Sequence, residues 1–293
     1  MKYPTICMMT DFGPDNSSVC TMKGVCSNIC SDLITTDITH SVTPFNTWEA
    51  SSQLKFVVPF WPKGTIFVSV VDPGVGTKRR ACVAKLKDGN YIVTPDNGTL
   101  THVYYEIGIE EIREIDETVN RLPSTRDTSI FHGRDLFAYC AAKLAANVIT
   151  FEEVGPAYPV DEVVLHDTFY NPIIKENHVE GNIIIVFKHF GNVFTNITYK
   201  DFKKAGFVEG DYVNVKITYK DEVKFNEKVL FHKSFGYASL NQPIIFSGSM
   251  LDICLALNQA SFAEKYDINS AGKDWKVVFT KWNQALYGKP ILV

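Results

Sequence analysis

Residues 65–80 read Thr-Ile-Phe-Val-Ser-Val-Val-Asp-Pro-Gly-Val-Gly-Thr-Lys-Arg-Arg, and this stretch decides the fold. The apolar run 65–71 predicts a buried strand, because short β-branched runs bounded by turn residues are typical of parallel sheets. The strand ends at Asp72, and a proline with two glycines then turns the chain toward Arg79 and Arg80. In open α/β sheets, ligands bind just outside the carboxyl ends of the strands. The sequence therefore predicts a ligand site beside Asp72.

Strand and helix patterns alternate through the first half of the chain. Asn46 is a good helix N-cap, with Glu49 three residues later, and apolar residues recur at helical spacing after Arg134. This alternation predicts a Rossmann-like α/β domain, with a largely parallel sheet covered by helices. The predicted strands are 5–9, 65–71, 81–86 and 91–93, and the predicted helices are 17–30, 48–58, 99–107 and 134–148.

The pattern changes after about residue 153. A segment from Gly155 to Pro172, rich in proline and without periodicity, is the predicted linker. Short β-branched or aromatic runs follow and predict a mostly antiparallel β-barrel domain. We therefore expect an N-terminal domain over 1–165 and a C-terminal domain over 173–293. The predicted strands of the second domain are 182–187, 212–217, 228–231 and 243–246.

Two further segments of the second half have open interpretations. Residues 189–196 are either a hairpin or bulge, or a rim where Phe190 stacks on a flat ligand and Asn192 binds its edge. Residues 247–252 have the composition of a helix N-cap, which predicts a helix over 253–257.

Composition excludes several classes of protein. The 293-residue chain carries a net charge of −4, which argues against a general nucleic-acid binder. No apolar run approaches the roughly 20 residues of a membrane span, and the start of the chain reads as a strand, so we expect a cytoplasmic protein without a membrane partner. Cys20, Cys26 and Cys30 lack the paired spacing of a zinc site. We therefore expect free thiols and no metal or cofactor.

Polar clusters follow the predicted strands. Asp11 comes directly after the first strand and is either a turn residue or an acceptor for the two hydroxyls of a ribose. Asp72 and Arg79 either belong to a tight loop with a solvated basic pair or face each other around a small polar group. Residues 95–98 read Pro-Asp-Asn-Gly and are either a turn or, because they follow the carboxyl end of a strand, part of a pocket lining. His132 precedes the best predicted helix, where its imidazole can project over the sheet edge.

Seven short motifs run in order along the chain. They are Thr10-Asp11-Phe12-Gly13, Met22-Lys23-Gly24-Val25, His40-Ser41-Val42-Thr43-Pro44, Val71-Asp72-Pro73-Gly74-Val75-Gly76-Thr77, Pro95-Asp96-Asn97-Gly98, Phe131-His132-Gly133-Arg134-Asp135 and Phe190-Gly191-Asn192-Val193-x-Thr195-Asn196. Together they resemble the S-adenosyl-L-methionine (SAM) hydroxide adenosyltransferase family, the SAM hydrolases, which are homologous to the fluorinating and chlorinating SAM enzymes.

The resemblance implies hydrolysis of SAM to adenosine and L-methionine without a metal, by water attacking ribose C5′. It implies a catalytic triad of Asp72, Arg79 and His132. The halogenating relatives lack this triad and carry a Tyr at the position of Asp72. It also implies a homotrimer, with each active site between the N-terminal domain of one subunit and the C-terminal domain of the next. The substrate-binding residues implied are Asp11, Asn16, Ser18, Phe45, Phe190 and Asn192.

The chain departs from the family pattern at three places. Lys188 stands where an acid usually precedes Phe-Gly-Asn, Asn16 stands where an acid is common, and the pattern Asn-x-Gly-Asn-Ala reads Asn-Gln-Ala-Ser-Phe from Asn258. All three positions belong to the part of the site expected to hold methionine or to close around the ligand. The alternatives are therefore a hydrolase or binder of another adenosine compound, and a non-catalytic adenosine- or SAM-binding protein.

Overall fold

The computed structural model describes residues 3–167 and 171–282. The chain divides after Asp167 into two compact units, one built on a seven-stranded sheet and the other on an eight-stranded sheet. Within the described residues, no helix is long and apolar enough to cross a membrane.

The described residues of the first unit form seven strands and five α-helices. The strands are β1 (Ile6–Thr10), β2 (Thr35–Thr39), β3 (Ile66–Val70), β4 (Ala81–Leu86), β5 (Tyr91–Pro95), β6 (Ile109–Glu114) and β7 (Ala157–Tyr158). The helices are α1 (Ser18–Ile29), α2 (Thr47–Val57), α3 (Thr101–Glu106), α4 (Glu117–Asn120) and α5 (Tyr139–Ala145). A π-helical turn, Gly133–Ala138, leads directly into α5.

The strand order of the first sheet is β2-β1-β3-β5-β4-β6-β7. Its first four strands are parallel, as the alternation of strands and helices predicts. The remaining strands pair in antiparallel fashion, so the sheet is parallel over only part of its width. The reason is the tight turn Asp88-Gly89-Asn90 between β4 and β5, because a short hairpin can join only antiparallel strands.

Both faces of β1 and β3 are buried. Ile6 and Met8 of β1 face a core shared with α1 and α5, whereas Cys7 and Met9 face a second core shared with α2 and α3. This explains why β1 and β3 are apolar at consecutive positions rather than alternating. Asn46 caps α2 as predicted, since its carboxamide oxygen accepts the Glu49 amide at 3.0 Å.

The segment expected as a linker begins inside the first unit. Ala157 and Tyr158 form the edge strand β7, which pairs with β6, and Val163 is buried in the core beside α2 and α3. Proline spacing alone could not show this, because β7 is only two residues long.

The second unit is a closed barrel, as predicted. Its strands are β8 (Ile173–Lys175), β9 (His178–Phe187), β10 (Asn192–Thr198), β11 (Tyr212–Tyr219), β12 (Glu222–Phe231), β13 (Pro243–Ser247), β14 (Asp252–Leu257) and β15 (Gly272–Lys281), with helices α6 (Tyr199–Lys204) and α7 (Phe262–Lys265). The order is β10-β14-β13-β12-β11-β15-β9-β8, and a further pairing of β9 with β10 closes seven of these strands. Among the described strands of the barrel, only the β12–β13 pair is parallel.

The predicted helix over 253–257 is wrong, because these residues lie in β14, between β13 and β10. Every residue of β14 is buried. A short, wholly apolar run fits a buried strand as well as a helix, and periodicity cannot separate the two.

Removal of a core side chain tests the packing of the first unit. Phe67 of β3 is fully buried, whereas Phe60 is 68% exposed. We expect Phe67→Ala to lower the free energy of unfolding by about 3–5 kcal/mol, because it leaves a cavity between sheet and helices. Phe60→Ala, the control, should change it by less than about 0.5 kcal/mol. Urea denaturation measures both values, and equal small effects would contradict the packing described here.

Candidate functional site

The site forms where three parallel strands of the first unit end. Thr10 of β1 pairs with Val70 of β3, so the residues that follow them lie side by side. Asp11 and Asp72 therefore emerge at the same edge of the sheet. The turn after Pro95 of β5 emerges there as well, because β5 is the parallel neighbour of β3.

Asp72 and Arg79 face each other across their loop. The Nε of Arg79 donates to both carboxylate oxygens of Asp72, at 2.9 and 3.1 Å, and its Nη2 also reaches Oδ2. The side chains of Arg79 and Asp72 are 9% and 5% exposed. A buried pair of this kind is held by bidentate, charge-assisted hydrogen bonds.

The loop between the two residues is tight. The Thr77 hydroxyl donates to the Gly74 carbonyl at 2.7 Å. A Cβ on Gly74 would lie 3.1 Å from Cγ of Arg79, and Gly76 has a φ of +76°. Glycine is thus favoured at position 76 by conformation and at position 74 by close approach.

His132 completes a line of hydrogen bonds. The Nη2 of Arg79 lies 2.8 Å from Nδ1 of His132. A guanidinium has only donors, so Nδ1 must accept, and the neutral imidazole then carries its proton on Nε2. Burial lowers the pKa of His132, and the nearby Arg79 lowers it further, which favours this neutral form. Within residues 3–167 and 171–282, Nε2 is buried and has no hydrogen-bond partner.

A pocket of about 240 Å³ is lined by Asp11, Asp72 and His132, among others. One carboxylate oxygen of Asp11 accepts the amide of Phe45 at 2.9 Å, and Phe45 holds a left-handed φ of +65°. The Phe45 ring is 71% exposed at the pocket. The described residues that line the pocket are Asp11, Phe12, Pro44, Phe45, Val70, Asp72, Val75, Ile130, Phe131, His132 and Gly133.

Gly133 allows the pocket walls to approach one another. The rings of Phe12 and Phe131 lie 5.8 Å apart, edge to face. A Cβ on Gly133 would lie 3.1 Å from Phe131 and 3.3 Å from Val70. Sequence reasoning singled out His132 in this motif but missed the two phenylalanines and Ile130 as walls. Their signal is the presence of Phe12 directly after Asp11 and of Phe131 directly before His132.

The second unit has a pocket of its own, with a volume of about 520 Å³. Phe190 and Asn192 line it, and they flank Gly191, which has a φ of +70°. A Cβ on Gly191 would collide with Ser261, the N-cap of α7, so this turn packs against the start of that helix. The other lining residues are His189, Phe235, Leu257, Gln259, Ala260 and Ser261.

Comparisons with known proteins give matches in both units of the chain. The SAM hydroxide adenosyltransferase N-terminal domain matches residues 6–155, and the C-terminal domain of the same name matches residues 181–275. The chain belongs to this family.

The chain is similar to relatives with two different names. A fluorinase of Actinopolyspora mzabensis is 29% identical over 90% of this chain and 94% of its own length. An (R)-S-adenosyl-L-methionine hydrolase of Methanocaldococcus jannaschii is 32% identical over 78% of this chain and 80% of its own. Among solved structures, an uncharacterized conserved protein from Thermotoga maritima superimposes with a TM-score of 0.84 at 32% identity, covering 94% of this chain and all of that one.

Not every substrate-binding residue that the family resemblance implies lines a pocket. Asn16 and Ser18 are not among the described residues that line the Asp11 pocket. The Asn16 carboxamide accepts the Ser18 amide at 2.9 Å, in an exposed turn before α1. Lys188, which departs from the family pattern, is exposed and precedes His189 in the lining of the second pocket. The described parts of the chain contain no cluster of three or more His, Cys, Asp or Glu side chains that could hold a metal ion.

The electrostatic coupling of Arg79 to His132 is measurable. Arg79 lowers the pKa of His132, and Asp72 raises it. Arg79→Met removes the cation and leaves the carboxylate uncompensated, so both changes should raise the pKa of His132 toward its ordinary value of 6.5. An NMR titration of the imidazole, assigned with His132→Gln, measures the shift.

Lys78→Met provides the matched control, because Lys78 is an exposed cation next to Arg79 in the same loop. An equal shift in both variants, or none in Arg79→Met, would contradict the hydrogen-bonded line from Asp72 to His132.

Proposed function

We propose that this protein hydrolyses SAM to adenosine and L-methionine by direct attack of water at ribose C5′. The observation that carries the proposal is the line of hydrogen bonds from Asp72 through Arg79 to His132, at the edge of a pocket that also holds Asp11. The family acts on SAM, and one of the relatives above is named a SAM hydrolase.

Because SAM already carries a good leaving group, the protein needs only a few catalytic groups. SAM carries a sulfonium, which leaves C5′ as the neutral thioether of methionine and takes the electrons of the C–S bond with it. The leaving group therefore needs no proton. The protein must position a water in line with that bond and accept one proton from it, which is catalysis by orientation together with a general base.

Asp72 and His132 suit the two sides of such a water. The carboxylate of Asp72 keeps free lone pairs beside its bonds to Arg79, since two oxygens offer about four acceptor sites. It can therefore accept a hydrogen bond from the water and then its proton. The Nε2–H of His132 can donate to the water oxygen and orient it. One lone pair of the water is then left to attack C5′, and the proton passes from Asp72 to solvent.

The binding groups are those that the family resemblance implies. Asp11 keeps one carboxylate oxygen for the ribose hydroxyls, because the other accepts the Phe45 amide. In this proposal the exposed Phe45 ring covers the ligand, and Phe190 and Asn192 contact the adenine. Asn16 and Ser18 are the further substrate-binding residues that the resemblance implies. No metal or cofactor takes part, and the homotrimer implied by the family resemblance remains a prediction.

Halogenation is the competing reaction, since other relatives are named fluorinase. The carboxylate of Asp72 argues against it here. A halide at the position of the water would lie against the carboxylate oxygens of Asp72, and like charges repel even where Arg79 partly compensates the carboxylate. Water has no charge and can donate a hydrogen bond to the same carboxylate.

The reaction is tested by incubating the protein with SAM in H₂¹⁸O. We expect adenosine and methionine in equal amounts, with the label in the 5′-hydroxyl of adenosine. Asp72→Asn, an isosteric change, should lower kcat by about 100-fold or more, because it removes the base. Asp161→Asn, a change of an exposed acid in the same unit, is the control and should keep full activity.

Other outcomes separate the alternatives. Failure to form either product would contradict the proposal, and adenosine retained without turnover would indicate a binding protein. A 5′-halogenated adenosine formed in the presence of fluoride or chloride would indicate halogenation. Unchanged hydrolysis by Asp72→Asn would remove Asp72 from the mechanism.

A further inference from the structure

The turn after β5 has a structural role that its sequence does not predict. Pro95-Asp96-Asn97-Gly98 follows a strand beside β3, yet none of these four residues lines the Asp11 pocket. The side chains of Asp96 and Asn97 instead bond to the segment from Val71 to Arg80, which carries both Asp72 and Arg79.

Asn97 holds the beginning of that segment. Its Nδ2 donates to the carbonyl of Val71 at 2.9 Å. Its Oδ1 accepts from the hydroxyl of Thr99 at 2.7 Å and from the Thr99 amide at 3.3 Å. The bonds to Thr99 fix which end of the carboxamide is the acceptor, so the donor end must face Val71, the residue before Asp72.

Asp96 holds the end of the segment. Its amide donates to the Arg80 carbonyl at 2.9 Å. Its carboxylate is 1% exposed and lies 3.5 Å from Nε of Arg80. The same carboxylate accepts the Tyr158 hydroxyl at 3.1 Å and the Val164 amide at 2.8 Å.

Arg80 is thereby turned away from Asp72. Its guanidinium lies 4.2 Å above the ring of Tyr158 and pairs with Glu162 at 3.0 Å. Arg79 and Arg80 are neighbours in sequence, and the fixed direction of Arg80 leaves Arg79 as the arginine that faces Asp72.

The bonds inside the segment do not fix its position on the sheet. The Thr77 hydroxyl bridges Gly74 and the Arg79 amide, and the Val75 amide donates to the Asp72 carbonyl at 3.3 Å. These bonds shape the loop, whereas the bonds to Asp96 and Asn97 connect its two ends to the turn after β5. Arg79 must reach Asp72 and His132 together, and a hydrogen bond of 2.8 Å does not survive a displacement of about 1 Å.

We infer that Asp96 and Asn97 are positioning residues, forming a clamp on the two ends of the segment from Val71 to Arg80 so that Arg79 engages Asp72 and His132 at the same time. The catalytic consequence rests on the proposed function. The expected change in the pKa of His132 follows from the geometry alone and does not rest on the proposed function.

Asn97→Asp tests the clamp. The new carboxylate can still accept from Thr99, but it places an oxygen against the Val71 carbonyl, and the two acceptors repel. We expect kcat for SAM to fall by about 10- to 100-fold, because misplacement by about 1 Å has this effect on a positioned reaction. KM should change by less than about 3-fold, since no group that binds the ligand is altered. The pKa of His132, followed by NMR, should rise as Arg79 withdraws.

Asn90→Asp is the matched control. Asn90 is a buried asparagine at the opposite end of the same strand, and its side chain bonds to Thr65 and Asp88. It should lose stability in urea much as Asn97→Asp does, with kcat and the pKa of His132 unchanged. If Asn97→Asp does not fold, Asp96→Asn replaces it, because that variant keeps the backbone bond to Arg80 and removes the charge that holds the guanidinium.

The outcomes distinguish this inference from the proposed function. If the pKa of His132 moves in Asn97→Asp and not in Asn90→Asp, the clamp is supported, whether or not the protein hydrolyses SAM. If it moves while kcat stays constant, the clamp stands and the proposed role of the Asp72–Arg79–His132 line is contradicted. An unchanged His132 in folded Asn97→Asp, or equal changes in both asparagine variants, would overturn the inference.

Discussion

The buried ion pair of Arg79 and Asp72 is the interaction on which the rest of the site depends. Removing either partner would leave an uncompensated charge, which costs about 3–5 kcal/mol in buried pairs. The same guanidinium has a further N–H for Nδ1 of His132, so one side chain both balances the acid and selects the imidazole tautomer. A lysine could not replace it, because an ammonium lacks the planar fork that reaches both partners at fixed angles.

The fold explains why these groups meet. β1, β3 and β5 are parallel and adjacent, so the residues after them, Asp11, Asp72 and Asp96, appear at one edge of the sheet. His132 comes from a distant part of the sequence and lies at the start of the π-helical turn that leads into α5. π-Helical turns are rare in proteins, and those that occur often lie at functional sites. Here the turn begins at Gly133, where close packing against Phe131 and Val70 leaves little space for a side chain.

Much of this was predictable because the signals are local. The apolar run before Asp72, the N-cap at Asn46 and the barrel strands all depend on neighbouring residues in the sequence. The helix predicted over 253–257 was wrong because burial on both faces erases periodicity. The bond between Asn97 and Val71 joins residues 26 apart, and the bond between Arg79 and His132 joins residues 53 apart. Such contacts depend on the tertiary structure, which no local pattern encodes.

The central claim is that Asp72 acts as a base toward water and does not itself attack the substrate. The most direct measurement uses SAM that carries a single deuterium of known configuration at C5′ and determines the configuration of the adenosine formed. Direct attack by water predicts inversion at C5′. Retention would contradict the account, because it would require two displacements through a covalent ester of a carboxylate such as Asp72.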